Sequence, residues 1–284
     1  MHQTPPLTWA GLRLDRPLVM GILNVTPDSF SDGGWYDTPE AAIAAGEAML
    51  EAGADIIDIG GESTRPGAEP VSSAQEMDRI LPAIEALAAQ GAIISVDTRN
   101  AATMAAALDA GARIINDVSG LTHAPGASTL AAQRGCPVVL MHTRGTPANM
   151  NAQAHYANVA ADVLAELTAV RDAALAAGIK PENIALDPGL GFAKLGAQNL
   201  TLLQATAQFA ALGHPLLIGL SRKKFIGEFG GEPNPAKRGP GSIAAGLYAV
   251  TQGAHILRVH DVPETVQALR MWQNLTASKH GPNF

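Results

Sequence analysis

Short apolar runs alternate with amphipathic stretches along most of this chain. The runs are rich in Ile, Val and Leu and are bounded by Gly, Pro or polar residues. Because the apolar residues in them are mostly consecutive, the runs are typical of parallel strands buried on both faces. We predict eight strands, at residues 18–23, 56–59, 93–96, 114–116, 138–141, 184–186, 216–219 and 256–259.

The stretches between these runs predict helices. Segments such as "TPEAAIAAGEAMLEAGA" and "NVAADVLAELTAVRDAALAAG" repeat apolar residues at helical spacing, with polar residues on the other face. Several predicted strands are preceded by a glycine that suits a helix C-terminus: Gly53, Gly91, Gly111, Gly178 and Gly253. Eight strand–helix units predict an α/β protein with a (β/α)₈ TIM barrel. A doubly wound open sheet is the alternative.

Neither a linker nor a low-complexity segment interrupts this pattern. We therefore expect a single domain over residues 1–284, with about twelve N-terminal and about ten C-terminal residues at its periphery.

Composition narrows the class of protein. The 284 residues are 47% hydrophobic and 4% aromatic, but no apolar stretch is long enough to span a membrane. The N-terminus has neither the basic nor the apolar segment of a secretion signal, and Cys136, the single cysteine, excludes an internal disulfide. The net charge of −7 argues against nucleic-acid binding. We expect a cytoplasmic protein that acts on small molecules, without nucleic-acid or membrane partners.

Polar or charged residues stand at or directly after the end of every predicted strand. In (β/α)₈ barrels these positions line the active site at the C-terminal face. Asp or Asn at such a position can instead cap the next helix, so no single position is decisive. Thr98 and Asn100 offer other caps for the helix after the third strand, which leaves Asp97 free to face the barrel mouth. The strand-end residues include Asn24, Glu62, Asp97, Asn116, His142, Asp187, Ser221 and His260.

The residue types at these positions indicate a ligand. Asp97, Asn116 and Asp187 suit a flat heterocycle that presents N–H groups and a carbonyl. A cationic set indicates an anionic group such as phosphate. This set comprises Arg65, Lys223, Arg258 and His260. The His and Asp residues lack zinc-ligand spacing, so we expect no dedicated zinc site.

The loop after the first strand, within "MGILNVTPDSFSDGGWYD", combines two aromatic residues with many hydrogen-bonding groups. We expect residues 26–36 to close over a bound ligand, with Phe30 excluding water and Gly33 and Gly34 permitting the movement. A static packed loop is the alternative.

Long motifs resemble those of the dihydropteroate synthases, a family of pterin-binding enzymes. The resemblance covers the chain from about residue 12 to about residue 269. The motifs are "GILNVTPDSFSDGG", "GADIIDIGGESTRPGA", "SVDT", "INDVSG", "VLMH", "LDPGLGFAK", "GLSRKKFIG" and "LRVHDV".

The resemblance implies a transferase of folate biosynthesis on a (β/α)₈ barrel. The family joins 6-hydroxymethyl-7,8-dihydropterin diphosphate to 4-aminobenzoate and releases diphosphate, with Mg²⁺ as cofactor, usually as a homodimer. Its mechanism is dissociative, so that a cationic pterin methylene forms before the amine attacks.

The family's site residues carry over onto matching positions of this chain. Asn24 would hold Mg²⁺ and, with His260, the diphosphate, while Asp97, Lys223, Arg258 and His260 would be catalytic. The resemblance assigns to the pterin diphosphate Asn24, Thr64, Asp97, Asn116, Asp187, Lys223, Arg258 and His260. To 4-aminobenzoate it assigns Phe30, Arg65, Pro66, Phe192 and Ser221, with Thr64 also bordering this pocket.

Three positions depart from the usual pattern, at Thr143, Leu190 and Ala193, where the family often has Met, Phe and Gly. We expect them to tune the affinity for aminobenzoate or sulfonamides. Two other functions share the pterin-binding pattern: a methyltransferase that binds methylated folate, and a non-catalytic pterin-binding paralogue. The first should lack the two loops at 24–36 and 61–68, and the second should have lost some of the charged site residues; both features are intact here.

Overall fold

Eight parallel strands form the centre of the molecule, as the sequence pattern predicts. The computed structural model describes residues 7–26, 38–63 and 71–277. Every predicted strand is present, with bounds that differ by no more than one residue. The barrel strands are β3 (Leu18–Asn24), β4 (Ile56–Gly60), β5 (Ile94–Asp97), β6 (Ile114–Asp117), β7 (Val138–Met141), β8 (Ile184–Asp187), β9 (Leu217–Gly219) and β10 (Ile256–Val259).

The strands pair in the order β8-β7-β6-β5-β4-β3-β10-β9, all in parallel. A parallel bridge between Leu186 and Leu216 joins the two outer members of this order and closes the barrel. The prediction of a (β/α)₈ barrel is therefore confirmed, and the open doubly wound sheet is excluded. Closure brings all eight carboxyl ends of the strands to one rim.

Helices connect the strands and cover the barrel. They are α1 (Pro39–Glu51), α2 (Ser73–Ala89), α3 (Ala101–Asp109), α4 (Ala127–Arg134), α5 (Val159–Ala176), α6 (Ala197–Gln204), α7 (Thr206–Ala210), α8 (Lys224–Gly230), α9 (Gly239–Thr251) and α10 (Val262–Ala277). Local sequence explains several of their ends. Ser72 and Gln75 form a reciprocal capping box at the start of α2. The glycines predicted to end helices all have positive φ, between 87° at Gly91 and 109° at Gly111.

The core has two layers, inside and outside the barrel wall. Inside, apolar side chains from most of the barrel strands pack together, including Met20, Ile56, Ile114, Val139 and Ile256. Outside, the opposite faces of the strands pack against the helices. Cys136 is buried, as expected for a structural cysteine.

An N-terminal hairpin extends the inner layer. Strands β1 (Thr8–Trp9) and β2 (Leu12–Arg13) pair in antiparallel fashion. Trp9 is 1% exposed, packs with the apolar residues inside the barrel, and donates from its indole N–H to the Asn183 carbonyl at 3.1 Å. Trp9 thus belongs to the core although it precedes the barrel strands. The single-domain organisation over 1–284 stays a prediction.

Among the described residues, none of the helices combines the length and apolar character needed to cross a membrane.

Candidate active site

The candidate site begins where the inward-facing side chains of the barrel change from apolar to polar. Successive side chains of a strand point to opposite faces, so residues two apart share a face. Asp58, Asn116, Asp187 and Arg258 each stand two residues after an apolar inner-layer residue, on β4, β6, β8 and β10. The polar layer thus lies directly above the apolar one, towards the carboxyl ends of the strands.

Arg258 joins two carboxylates at the centre of this layer. Its Nε donates to Asp58 Oδ2 at 2.5 Å, and its Nη2 donates to Asp97 Oδ2 at 2.6 Å. The amide of Asn116 donates to the same Asp58 oxygen at 3.0 Å. The two acids and Asn116 are buried, whereas the Arg258 side chain is 21% exposed. One hydrogen-bonded network therefore connects β4, β5, β6 and β10.

Two oxygens of this network have no partner in the described part of the chain. Asp58 Oδ1 and Asp97 Oδ1 are both buried and accept no hydrogen bond there. An unpartnered buried carboxylate oxygen is costly, because it has lost its water without gaining a donor. A ligand that brings N–H donors into the barrel mouth would satisfy such atoms.

Asp187 and Lys223 meet Arg258 beside Gly219. A Cβ built at Gly219 would lie 3.8 Å from Asp187 Oδ2, 3.9 Å from Lys223 Nζ and 3.9 Å from Arg258 Cβ. The missing side chain leaves space on β9 where three charged groups from β8, β10 and the start of α8 converge. The space beside Gly219, which we call the hollow, is thus bordered by Asp187, Lys223 and Arg258, and Arg258 connects it to Asp97 and, through Asp58, to Asn116.

Burial shifts the protonation equilibria of these groups. It raises the pKa of Asp97 to about 7, against the opposing charge of Arg258. Burial likewise raises the pKa of Asp187, although the neighbouring Lys223 ammonium favours its ionised form. Burial lowers the pKa of Lys223 to about 8, with Asp187 as the main opposing charge. Perturbed titrations of both signs within one hollow are a feature of binding and catalytic sites.

The loop after β8 forms one wall of the hollow. Its first turn is fixed by Gly189, whose N–H donates to Asp187 Oδ1 at 2.7 Å. The Leu190 carbonyl accepts a hydrogen bond from Lys223 Nζ. The ring of Phe192 lies 4.7 Å from the same nitrogen, in cation–π contact. The predicted aminobenzoate residue Phe192 therefore borders the predicted pterin residue Lys223.

The remaining predicted residues of the described chain lie on the same rim. Asn24 ends β3 and is paired in register with Gly60 of β4. Ser221 is buried, and its Oγ lies 3.1 Å from the His260 backbone nitrogen and 3.0 Å from His260 Nδ1. The predictions for Phe30, Thr64, Arg65 and Pro66, and the closing loop apart from its first residue, fall outside the described residues.

Not every polar strand-end residue enters the site. Asp117 accepts from the backbone N–H groups of Ser119 and Leu121 at 2.7 and 3.1 Å, so it shapes its own loop. Asp97 instead pairs with Arg258, and the N-cap residue of α3 is Asn100, which forms no side-chain capping bond. Asp97 therefore belongs to the polar layer; that it faces a ligand at the barrel mouth stays a prediction.

A cleft of about 310 Å³ opens beside the hollow on the same face. Phe192 forms part of its wall, Arg99 contributes a cation, and Thr143 lies on the loop after β7. The side chain of Arg99 is held by two 3.0 Å hydrogen bonds to Glu62, which ties the ends of β5 and β4 together. Since a cleft joined to charged groups is the usual form of a small-molecule site, the region suits a ligand larger than one ring.

The three departures from the expected motif also lie here. Leu190 is buried and supplies the carbonyl for Lys223, and Thr143 lines the cleft. Ala193 has φ of 52°, a left-handed conformation that favours glycine and so accounts for glycine being common at this position in the family. Their effect on aminobenzoate or sulfonamide affinity stays a prediction.

Sequence reasoning missed Asp58. It is fully buried within the apolar run of β4 and anchors both Arg258 and Asn116. A charged residue inside a buried strand was the available signal, because such residues are almost never fully buried unless paired.

A dedicated metal site in a protein is built from several side-chain ligands. Residues 7–26, 38–63 and 71–277 contain no group of three or more His, Cys, Asp or Glu side chains that could hold a metal ion. Asn24 offers one amide oxygen at the rim. Mg²⁺ commonly binds through one or two protein oxygens together with substrate phosphates and water. This donor set fits Mg²⁺ that arrives with a phosphorylated substrate.

Sequence comparison finds close relatives over nearly the whole chain. The family described as "Pterin binding enzyme" matches residues 20–260. Dihydropteroate synthase of Neisseria meningitidis serogroup C is 47% identical over 265 residues, which cover 92% of this chain and 94% of that protein. A probable bifunctional folylpolyglutamate synthase/dihydropteroate synthase of Haloferax volcanii is 47% identical over 269 residues. That match covers 95% of this chain and 31% of the longer protein.

Solved structures of dihydropteroate synthases also resemble this chain over nearly its whole length. Dihydropteroate synthase of Xanthomonas albilineans with 4-aminobenzoic acid superposes with a TM-score of 0.89 at 49% identity, over 97% of this chain and 99% of that chain. The Xanthomonas enzyme in complex with 7,8-dihydropteroate gives 0.84 at 47% identity, over 94% and 96% of the two chains. The fold of this chain is thus similar, at 47–49% sequence identity, to that of an enzyme solved with 4-aminobenzoic acid and with 7,8-dihydropteroate.

Proposed function

The chain belongs to the pterin-binding enzyme family, as a dihydropteroate synthase, and on this premise we propose how its residues carry out the reaction. The reaction joins 6-hydroxymethyl-7,8-dihydropterin diphosphate to 4-aminobenzoate, giving 7,8-dihydropteroate and diphosphate. The observation that supports our assignment of roles most strongly is the convergence of Asp187, Lys223 and Arg258 beside Gly219.

We propose that the hollow binds the pterin ring edge-on. A pterin presents adjacent N–H donors on one edge and a carbonyl beside them. Asp187 accepts from the N–H donors and Lys223 donates to the carbonyl. Asn116 and the unpartnered Oδ1 of Asp97 complete the contacts around the ring. Carboxylates and amides suit this edge because a carboxylate accepts two donors and an amide both donates and accepts.

Asp97 also stabilises the charge that develops during the reaction. In a dissociative reaction the C–O bond breaks first, and the pterin methylene becomes cationic. The Asp97 carboxylate is held by Arg258 through Oδ2, and its other oxygen has no partner among the described residues. That oxygen stabilises the cation as it forms, because an opposite charge nearby favours it. The aniline nitrogen of aminobenzoate then attacks the methylene without a protein nucleophile.

Arg258, Asn24 and His260 neutralise the leaving diphosphate. The guanidinium of Arg258 is fixed by Asp58 and Asp97 at one end and is partly exposed towards the rim. His260 is held by its contact with Ser221. Asn24 would hold Mg²⁺ together with the substrate phosphates, and the bound ion would supply positive charge next to the leaving diphosphate. Preoriented donors of this kind lower the barrier because they are in place before the charge appears.

The aminobenzoate stands against Phe192 and Ser221, between the hollow and the cleft. Phe192 supplies an apolar face for the benzene ring, and Ser221 supplies a hydroxyl near the rim. The contributions of Phe30, Thr64, Arg65 and Pro66 remain predictions from sequence. This arrangement places the amine of aminobenzoate beside the pterin methylene.

Turnover of the two substrates tests this proposal. We expect purified protein with Mg²⁺ to form dihydropteroate and diphosphate in equal amounts. Lys223→Ala and Arg258→Ala should each lower kcat about 100- to 1,000-fold, as removal of one preoriented donor does in comparable sites. Lys180→Met, which removes an exposed lysine before β8, serves as the control. Turnover of either site variant at the wild-type rate would refute the proposed roles.

The same assay separates the two rival functions. A methyltransferase would bind methylated folate and form no diphosphate, and a non-catalytic paralogue would bind pterin without product.

We further propose a homodimer and a cytoplasmic location. Tyr248 of α9 and Met271 and Leu275 of α10 are large apolar side chains left exposed on neighbouring helices, and their burial would favour self-association. Analytical ultracentrifugation of wild type and Met271→Lys should give a dimer and a weakened dimer. A monomeric wild type would contradict the first proposal, and recovery of the enzyme in a cell's membrane or secreted fraction would contradict the second.

A further inference from the structure

A second cluster of buried ionisable side chains lies behind the wall of the hollow, and the proposed mechanism does not use it. At its centre is Lys194, which is 2% exposed. Its Nζ donates to the carbonyls of Gly189 and His142 at 3.0 and 3.1 Å, and it lies 2.8 Å from His142 Nδ1. All three donor positions of the amine thus have an acceptor.

The cluster extends from His142 to the protein surface and returns to the loop after β8. His142 Nε2 lies 2.9 Å from Glu166 of α5, which also pairs with Arg144. The Arg144 guanidinium stacks 4.0 Å above the Tyr156 ring. The Tyr156 hydroxyl donates to the Ala193 carbonyl at 3.0 Å, one residue before the lysine. These contacts therefore connect the loops after β7 and β8 twice, once through Lys194 and once through Tyr156.

Protonation fits this arrangement. Burial lowers the pKa of His142 to about 4, so its ring is neutral at physiological pH. With Lys194 donating to Nδ1, the ring proton stands on Nε2 and is donated to Glu166. The pKa of Glu166 falls to about 2, chiefly through its hydrogen bonds from Arg144, so it remains an acceptor. Burial lowers the pKa of Lys194 well below its ordinary value, while the Asp187 carboxylate favours the charged form, in which the amine can donate all three hydrogen bonds.

Lys194 holds a tight loop with three left-handed residues, of which only the non-glycine Ala193 is strained. Gly189, Gly191 and Ala193 have φ of 69°, 80° and 52°. A Cβ at Gly189 would lie 2.0 Å from the His142 carbonyl oxygen, which shows how closely the two loops approach. Left-handed residues persist where surrounding contacts fix them. Lys194 supplies three such contacts from the end of the loop.

The loop that Lys194 holds also contacts the side chain of Lys223. The Leu190 carbonyl accepts from Lys223 Nζ, and the Phe192 ring faces the same nitrogen at 4.7 Å. Gly191 packs against the Lys223 side chain, since a Cβ there would lie 3.1 Å from its Cδ. Displacement of this loop would therefore move the ammonium.

We propose that Lys194 is a positioning residue: it fixes the loop after β8 so that Leu190 and Phe192 keep the Lys223 ammonium beside Asp187. The inference rests on the proposed role of Lys223 in pterin binding. Lys194 itself lies behind the loop and touches neither substrate.

Lys194→Met tests the inference because methionine is similar in length and apolar. It leaves the Gly189 and His142 carbonyls without their donor. We expect the Kd for a pterin, measured by calorimetry, to rise about tenfold or more, which corresponds to about 1.4 kcal/mol or more. The control is Lys180→Met, at the opposite end of the same strand–loop unit, and it should bind as wild type.

The pH profile gives a second readout that a general loss of stability would not move. Lys223 faces the charged groups Asp187, Arg258 and Asp97 on three strands, and the charge of Lys194 also acts on it. Because Lys194→Met removes that charge, the profile is measured in Tyr156→Phe, which keeps all four charges and removes only the hydroxyl that holds Ala193. When the loop moves, Lys223 loses the Leu190 carbonyl, which favours its charged form, so the alkaline limb of kcat/KM for the pterin diphosphate should move to lower pH in Tyr156→Phe.

A folded Lys194→Met with the wild-type Kd would overturn the inference. Tyr156→Phe should also raise the Kd, by less than Lys194→Met does. A Tyr156→Phe variant with the wild-type Kd and an unchanged alkaline limb would overturn the inference as well, and it decides if Lys194→Met does not fold. Lys223→Ala separates this failure from a failure of the proposed function. If Lys223→Ala binds the pterin with the wild-type Kd, the role of Lys223 itself is refuted. If Lys223→Ala loses pterin binding but Lys194→Met keeps the wild-type Kd, only the positioning role of Lys194 is refuted.

Discussion

Arg258→Met is the substitution that most directly tests the energetics of the site. In the wild type, one guanidinium neutralises Asp58 and Asp97 through hydrogen bonds of 2.5 and 2.6 Å. Methionine fills part of the space but leaves two buried carboxylates without a counter-ion. One further oxygen on each acid already lacks a partner among the described residues.

The expected cost follows from this geometry. Removing one partner of a buried ion pair typically destabilises a protein by about 3–5 kcal/mol, because the remaining charge stays buried. Protonation of a carboxylate relieves part of this cost. We therefore expect a decrease in the free energy of unfolding that is smaller in acid and reaches about 3–5 kcal/mol at alkaline pH.

The sign of the pH dependence follows from Asp97. Its folded-state pKa of about 7 lies above the ordinary value, so its contribution to stability is fully present at low pH and is lost as pH rises towards 7. Arg258 holds this pKa down. Without Arg258 the pKa rises further, and the loss continues above pH 7. The gap between variant and wild type should widen there by up to about 1.4 kcal/mol per pH unit.

Urea unfolding at pH 6, 7, 8 and 9 measures the effect. Arg134→Met is a matched control, since it breaks the exposed Arg134–Asp109 pair and should cost no more than about 1 kcal/mol at every pH. A decrease of less than about 1 kcal/mol in Arg258→Met, or one that is the same at pH 6 and pH 9, would refute the view that Arg258 neutralises a buried pair of acids.

Three further predictions concern activity and the loops. In the wild type, kcat/KM for the pterin diphosphate should fall above about pH 8 as Lys223 loses its proton, and a flat profile to pH 9.5 would contradict this role. Gly189→Ala should weaken pterin binding, as measured by calorimetry. Gly189 has φ of 69°, and the new Cβ would lie 2.0 Å from the His142 carbonyl oxygen. Wild-type affinity in this variant would show that pterin binding does not require the close approach of the loops after β7 and β8. Deletion of residues 28–34, outside the described chain, should abolish product formation and leave pterin binding largely intact, whereas equal loss of both would place these residues in the pterin pocket.

The barrel could be predicted from sequence because its strands are buried on both faces. Such strands appear as continuous apolar runs, and their ends are marked by glycines before and polar residues after them. Asp97, Asn116 and Asp187 could be named as candidates for the same reason, since each ends a run. Their convergence then required only that the runs close into a barrel.

Other parts of the site depend on contacts that no local pattern records. Asp58 stands inside a strand rather than at its end, and its partner Arg258 is 200 positions away in sequence. The Lys194–His142 contact joins residues 52 positions apart, on two loops. Trp9 precedes the barrel but enters its inner layer. Long-range pairs of this kind follow from the closed topology, which fixes neighbours only after the strands have assembled.

Calorimetric titration with a pterin that lacks the diphosphate tests the central claim, that the polar layer of the barrel binds the pterin ring. We expect one saturable site in the wild type, loss of binding in Asp187→Ala, and wild-type binding in Asp172→Ala, which changes an exposed carboxylate. The loss follows because ring N–H donors buried without an acceptor cost about 1–3 kcal/mol each. Equal pterin affinity in Asp187→Ala and the wild type would contradict the account.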